Sequence, residues 1–293
     1  MSTCVKVAVV QCELGGSREE NLDRVMGHLE SAAAEGAHVV LLPELFEGPY
    51  FPQVEDESWF AFARPFEGNP TIERIRAFSV GTRQVIPVSF FERSGQSYYN
   101  SVAMVCAGEV LGLYRKSHIP DGPGYEEKFY FRPGDTGFRV WPTPYGTIGV
   151  AICWDQWFPE AARAMALQGA DLLLYPTCIG VEPLEPELDS KDPWQRAMIG
   201  HAVSNAVMLA AANRVGTEGA MTFFGSSFIS DMRGEKVAEL GRTETGIATA
   251  TYELEALQRY RANWGFFRDR RPELYPVLLT ADGRRAVPGG RSD

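Results

Sequence analysis

Three residues in the chain are of types that could together carry covalent catalysis: Cys153 in GVAICWDQWFPE, Glu44 in HVVLLPELF and Lys116 in VLGLYRKSHIP. A thiol attacks as its thiolate, and with an ordinary pKa near 8.5 only a few per cent is ionised at neutral pH. It therefore needs a base to take its proton or a cation to hold its charge. A glutamate and a lysine supply those two functions. Taken singly, each residue has a plainer reading. A cysteine ending a buried strand is more often a small core residue, and Glu44 and Lys116 are more often surface charges or an ion pair. What joins them is position. Each stands where an apolar run gives way to a loop, and in a layered α/β protein the loops at strand ends gather into one site.

The elements that must hold them can be read from hydrophobic period. VKVAVVQCEL reads as a strand, and SREENLDRVMGHLESAAAEG as an amphipathic helix capped by Ser17 with Glu20 three residues on. AHVVLLPE is a buried strand, 46–68 an irregular aromatic segment, and 70–81 a short helix. The run QVIPVSFFERSGQSYYNSVAMVCAGEVLGLYRKSH carries the turn residues of a β-meander. Residues 117–135 form a Gly/Pro-rich loop too long for a mere connector. Next come strands flanking PYGT, the helix PEAARAMALQG and the strand ADLLLYPT. An acidic loop then leads to the helix PWQRAMIGHAVSNA, the strands VMLAAANRV, SSFISDM and TGIATATYEL, and a final helix and tail. EGAHVVLLPE and QGADLLLYPT rhyme, each preceded by a helix, which suggests two related β-α-β halves. No low-complexity linker divides residues 1–293, so one domain with a mixed, helix-covered sheet is expected.

Composition removes several classes. The chain has 293 residues, 45% of them apolar, and a net charge of −10, with basic residues dispersed apart from RDRR. It lacks the electrostatic footprint of a nucleic-acid binder. No apolar run reaches the roughly 18 residues of a membrane helix, and no basic-then-apolar leader opens the chain, so a cytoplasmic setting is expected. Five scattered cysteines, at 4, 12, 106, 153 and 178, predict reduced thiols. The four histidines show no metal-ligand spacing, and neither GxxxxGK[ST] nor GxGxxG occurs, so no metal or cofactor is expected. A Cys-His-Asn arrangement is also missing, and His118 is expected to support its loop. Asp155 either caps the following turn or faces substrate, the cap being favoured.

LPELF around Glu44, YRKSHIP around Lys116 and GVAICWDQWFPE around Cys153 resemble the three signature blocks of the nitrilase superfamily. Its Glu-Lys-Cys triad falls residue by residue on Glu44, Lys116 and Cys153, and the likeness runs from the first strand to GFFRDRRPELY. The resemblance implies a four-layer αββα sandwich of two six-stranded mixed sheets related by a pseudo-twofold. It also implies homo-oligomers paired through the helices next to the cysteine, with tails that often cross between subunits. The tail from about 262 to 293, with apolar anchors and an Arg cluster, either does so or packs on its own subunit. In the implied mechanism Glu44 takes the thiol proton, Cys153 attacks, and Lys116 with the backbone N–H of Trp154 holds the oxyanion. EEKFYFRPGD matches the EKxYFxPGD pattern of amidase and carbamoylase branches on Glu127, a second catalytic glutamate; the alternative is an exposed loop acid, as expected of Glu126.

KSHIPDGPGYEEKFYFRPGDTGF, CWDQWFPEAAR and DPWQRAMIGHA look most like the branch that hydrolyses N-carbamoylputrescine in polyamine synthesis. A buried distal ammonium left unpaired costs several kcal/mol, so the pocket should end in a carboxylate. Glu182, first in the acidic loop that also carries Glu185, Glu187, Asp189 and Asp192, is the candidate, with Tyr125 as a pocket wall; the alternative is a solvated loop. The rivals are β-ureidopropionate and N-carbamoyl-amino-acid hydrolases, which would want an arginine there, an ω-amidase, and a true nitrilase, which lacks the second glutamate. A catalytically silent nitrilase-like binding protein is the remaining class, and the retained Glu44, Lys116, Cys153 and Glu127 count against it.

Overall fold

A computed structural model describes residues 4–182, 185 and 187–283; the end of the tail, 284–293, lies outside the described residues. Fourteen strands and six helices are present among them. The first sheet contains β1 (Cys4–Gln11), β2 (Val39–Leu41), β3 (Val85–Ser94), β4 (Ser97–Cys106), β5 (Glu109–Arg115) and β14 (Gly246–Glu253), in the order β14-β1-β2-β3-β4-β5. The second contains β6 (Val140–Thr143), β7 (Gly146–Val150), β8 (Leu172–Pro176), β9 (Met208–Ala212), β12 (Phe228–Ser230) and β13 (Lys236–Glu239), in the order β6-β7-β8-β9-β12-β13. In each, three adjacent strands run parallel (β1-β2-β3 and β7-β8-β9) and the flanking ones antiparallel. The strand-order match makes the two halves equivalent, with the rhyming β2 and β8 at corresponding places.

Alternation of side chains explains the layers. Val5, Val7 and Val9 of β1 face the second sheet and meet Val39, Leu41, Ile148, Val150, Leu172 and Leu174. Ala8 and Val10 point the other way and meet Val25 and Leu29 of α1 (Arg18–Ala34) and Ile72 and Ile75 of α2 (Pro70–Thr82). On the opposite face, Leu173, Tyr175 and Leu209 pack against Met165 of α4 (Pro159–Leu167) and Trp194 and Met198 of α5 (Lys191–Asn205). Each such side chain taken fully from water is worth about 1.5–3 kcal/mol. The result is the αββα sandwich with two six-stranded mixed sheets that the family blocks imply.

Ser17 accepts from Glu20 N while the Glu20 carboxylate accepts from Ser17 N, so the capping box of α1 is complete. Elsewhere local detail departs from the sequence reading. The strand expected over AHVVLLPE pairs only at Val39–Leu41, because Pro43 has no N–H for a ladder. VMLAAANRV is not one strand. Asn213 turns the chain by accepting from Ile179 N and Arg214 N and donating to Ile179 O and Gly225 O, after which β10 (Val215–Glu218) pairs with β11 (Met221–Phe224) as an unexpected hairpin. The loop 117–135 contains a single helical turn, α3 (Glu127–Tyr130), and the aromatic segment two short 3₁₀ turns, Phe51–Gln53 and Glu57–Phe62. That loop is pinned where Gly134 N donates to Lys116 O at 2.7 Å. A Cβ on Gly134 would sit 2.1 Å from Arg115 O, so only glycine fits this approach. No described helix is long and apolar enough to cross a membrane. The final helix, α6 (Leu254–Trp264), is anchored by Arg261, which donates to Asp171 and to the carbonyls of Ala170 and Ala206.

Candidate active site

β7 is buried and its continuation, Ala151 and Ile152, remains so. The chain then reverses at Cys153 itself, whose φ of +44° lies in the left-handed region, and winds through a 3₁₀ turn, Cys153–Trp157, into α4 with Pro159 at its first position. The bend thus falls on the cysteine itself, one residue before Trp154. A non-glycine residue in that region costs about 1–2 kcal/mol, which the surrounding core must sustain. Trp154 occupies the second position of the turn, where a backbone N–H has no acceptor within the turn. Asp155 does not face the cavity. Its buried carboxylate accepts from Ile152 N, Tyr114 Oη and His118 N at 3.0, 2.7 and 2.9 Å and meets His118 Nδ1 at 2.7 Å, tying the end of β5 to the cysteine turn. His118 also stacks on Phe158, 3.7 Å between centroids, and so supports its loop.

Glu44, Lys116, Glu127 and Cys153 are brought together. Glu44 leaves β2, Lys116 leaves β5, and Glu127 opens α3; all three are wholly buried. Lys116 Nζ donates to Glu44 Oε1 at 2.9 Å and to Glu127 Oε2 at 2.7 Å. Tyr50 Oη donates to the other Glu127 oxygen at 2.7 Å, so Glu127 is not an exposed loop acid. Asn100 Nδ2 adds a second donor to Glu44 Oε1 at 2.6 Å. Glu44 Oε2 is buried and has no partner among the described residues, which leaves one oxygen of this carboxylate free to receive a proton. Glu126 stands outside the cluster, half-buried.

The charges explain the titration directions. Burial opposes the Lys116 ammonium, but Glu127 and Glu44 outweigh it and hold its pKa well above the ordinary lysine value. Burial pushes the Glu127 carboxyl up to about 7 against the pull of Lys116. Burial, reinforced by Glu44 and Glu127, holds the Cys153 thiol well above its usual range despite Lys116. The resting thiol is therefore protonated, and a base must act during attack.

Cys153 opens onto a cavity of 220 Å³ lined by Tyr125, Trp154, Gln156, Trp157, Cys178, Ile179 and the stretch Pro120–Pro123. Glu182 lies on the same wall, its carboxyl raised by burial and by Glu185. Tyr125 Oη accepts from Gly180 N at 3.1 Å. The other acids of that loop, Glu185, Glu187 and Asp189, are exposed. A second carboxylate, Asp121, also lines the cavity, and no Arg, Lys or His does among the described residues.

Residues 6–262 match the family model described as carbon-nitrogen hydrolase. The chain belongs to this family. It is 51% identical to an N-carbamoylputrescine amidase of Oryza sativa subsp. japonica, over 96% of this chain and 97% of that protein. It is 49% identical to a citrullinase of Francisella tularensis, over 94% and 98% respectively. The crystal structure of a carbon-nitrogen hydrolase from Helicobacter pylori G27 superimposes with a TM-score of 0.86 at 37% identity, covering 95% of this chain and 99% of that one.

This carbon-nitrogen hydrolase also recruits residues that the sequence reading passed over. Asn100, Tyr50, Asp121 and Arg214 sit in stretches where other patterns dominate. The signals were a polar residue inside an apolar strand (YYNSVAM) and a charge inside an apolar run (LAAANRV). Two outcomes are expected. Because Cys153 adopts φ +44°, Cys153→Gly should be more stable than Cys153→Ala by about 1 kcal/mol in denaturant melts, both being inactive. Below pH 7, Glu127 takes up a proton and ceases to hold Lys116 by charge, so activity should fall as pH drops through about 7. That limb belongs to the coupled cluster, and Glu127→Gln should lose it in a pH–kcat/KM profile; a retained limb would assign it elsewhere.

Proposed function

We propose that the chain hydrolyses the ureido group of N-carbamoylputrescine to putrescine, ammonia and carbon dioxide. The observation that carries this reading is a cavity that pairs a cysteine with two carboxylates, Asp121 and Glu182, and with no basic residue among those described. A distal ammonium entering it finds opposite charge and aromatic walls from Tyr125, Trp154 and Trp157. The identity to plant N-carbamoylputrescine amidases supports the same substrate.

In this mechanism Glu44 Oε2, the unpaired oxygen, takes the thiol proton as Cys153 Sγ bonds to the ureido carbon. The oxyanion is held by Lys116 and the Trp154 N–H, donors of a kind each worth about 10²–10³ in turnover. Glu44 passes its proton to the departing ammonia, leaving a thioester on Cys153. Water deprotonated by Glu44 then cleaves the thioester, Glu44 returns that proton to the departing Cys153 Sγ, and the carbamic acid released loses carbon dioxide. Glu127 and Tyr50 fix Lys116, and Asn100 fixes which Glu44 oxygen is free.

The citrullinase relative suggests a second substrate with the same ureido group, but one that also carries a carboxylate. Two wall carboxylates without a described cation repel that group, which favours the diamine. Ammonia release should therefore be faster from N-carbamoylputrescine than from citrulline or N-carbamoyl-β-alanine, and the reverse order would discard the diamine. Glu182→Gln should raise KM roughly tenfold or more with kcat little changed, the mark of lost uniform binding.

We further infer a homo-oligomer joined through the tail. Trp264, Leu274, Val277, Leu278 and Leu279 expose apolar surface in succession, Leu279 by 88%. Deletion after Trp264 should give a smaller species in sedimentation; an unchanged mass would rule out the tail as the link. Five free thiols, Cys4, Cys12, Cys106, Cys153 and Cys178, support a reducing, cytoplasmic setting.

A further inference from the structure

Arg214 stands at the break between β9 and β10 and is wholly buried. Its Nη2 donates to Glu44 O at 2.8 Å and Leu45 O at 3.2 Å, and its Nη1 donates to Gly48 O at 3.2 Å. Nη1 also meets both carboxylate oxygens of Glu218 at 2.9 Å. Glu218 Oε2 in turn accepts from Tyr50 N at 2.6 Å. Tyr50 is the residue whose hydroxyl donates to Glu127, so one ion pair grips the backbone behind both buried carboxylates of the cluster.

The segment from Glu44 to Tyr50 needs such a grip. It forms no helix or strand, and Leu45 is held at φ +46°. The main-chain carbonyls of Glu44, Leu45 and Gly48 all turn to one guanidinium. Burying an ion pair is a poor way to gain stability, since packed apolar groups of the same volume do as well or better. A fork of fixed geometry, by contrast, sets several acceptors at once, which the point charge of a lysine does not. We propose that Arg214, held by Glu218, is a positioning residue that places Glu44 directly and Glu127 through Tyr50; this rests on the roles given to those glutamates above.

The test measures ammonia release from the carbamoyl substrate turned over best, for Arg214→Lys, Glu218→Gln and Glu44→Gln, with a thermal melt of each protein. Misplacement of a catalytic group by about 1 Å costs roughly a hundredfold, so Arg214→Lys and Glu218→Gln should lose kcat roughly ten- to a hundredfold. KM should stay within about threefold, and the acid limb of the pH profile should shift, because the carboxylates no longer sit at their wild-type distance from Lys116. Folded clamp variants with wild-type kcat and pH profile, beside an inactive Glu44→Gln, overturn this proposal alone. A loss confined to melting temperature overturns it too. If Arg214→Lys does not fold, Glu218→Gln, which keeps the guanidinium, decides by the same criteria. Turnover retained by Glu44→Gln overturns the reading of Glu44 as base and this proposal with it.

Discussion

The Lys116 ammonium, buried between Glu44 and Glu127, is the interaction on which the rest of the structure depends. Taking three charges from water costs several kcal/mol each, and their attraction offsets this only when every remaining donor and acceptor is placed. That explains the layers of support around them: Tyr50 on Glu127, Asn100 on Glu44, and the ends of β2 and β5 held by the inter-sheet core. It also bears on Glu44 Oε2, the one oxygen of the two cluster carboxylates without a partner among the described residues. An unsatisfied buried acceptor costs about 1–3 kcal/mol, and this one stands on the carboxylate proposed to take the thiol proton.

The same electrostatics sets the chemistry's starting point. Burial opposes ionisation of Cys153 first, and the two carboxylates of the cluster add to that more than the single ammonium of Lys116 offsets it. A preformed thiolate, as in Cys-His enzymes, is thus the wrong picture. In the proposed mechanism the nucleophile forms only as its proton moves to Glu44, which neutralises that carboxylate and leaves Lys116 to hold the oxyanion that develops on the substrate. Proton transfer and attack are coupled by the site's net charge.

Much of this architecture was legible in the sequence because its signals are local. Apolar runs of about five to eight residues marked the central strands, Ser17 and Glu20 marked a helix start, and three short blocks marked the cluster. What escaped is what only three dimensions assemble. Asn213 breaks an apolar run that period alone reads as continuous, so the hairpin β10-β11 and the inward turn of Arg214 were invisible. Asn100 and Tyr50 carry no pattern of their own and matter only through an oxygen 56 or 77 residues away. The left-handed backbone of Cys153 carries no sequence signal for a similar reason: it depends on the packing on both sides, not on its neighbours in sequence.

The pseudo-symmetry accounts for where the site lies. β2 and β8 occupy equivalent places in the two sheets, and their ends meet: Glu44 N donates to Thr177 O, and Cys178 Sγ to Glu44 O. Equivalent strand ends facing across a pseudo-axis form a crevice of the kind that loops at the carboxyl ends of parallel strands create. Two identical halves would put the same groups on both sides, which suits neither a nucleophile nor its base. The halves instead diverge beyond their strand ends. The first sheet continues through β3-β4-β5 to Lys116 and the loop carrying Glu127, while the second supplies the cysteine turn and, after β8, the carboxylate Glu182. One sheet thus contributes the buried charges Glu44, Lys116 and Glu127, and the other the thiol and a wall of the cavity. Thr177, Cys178 and Arg214 of the second half all meet the Glu44 backbone of the first, and these buried contacts join the two contributions.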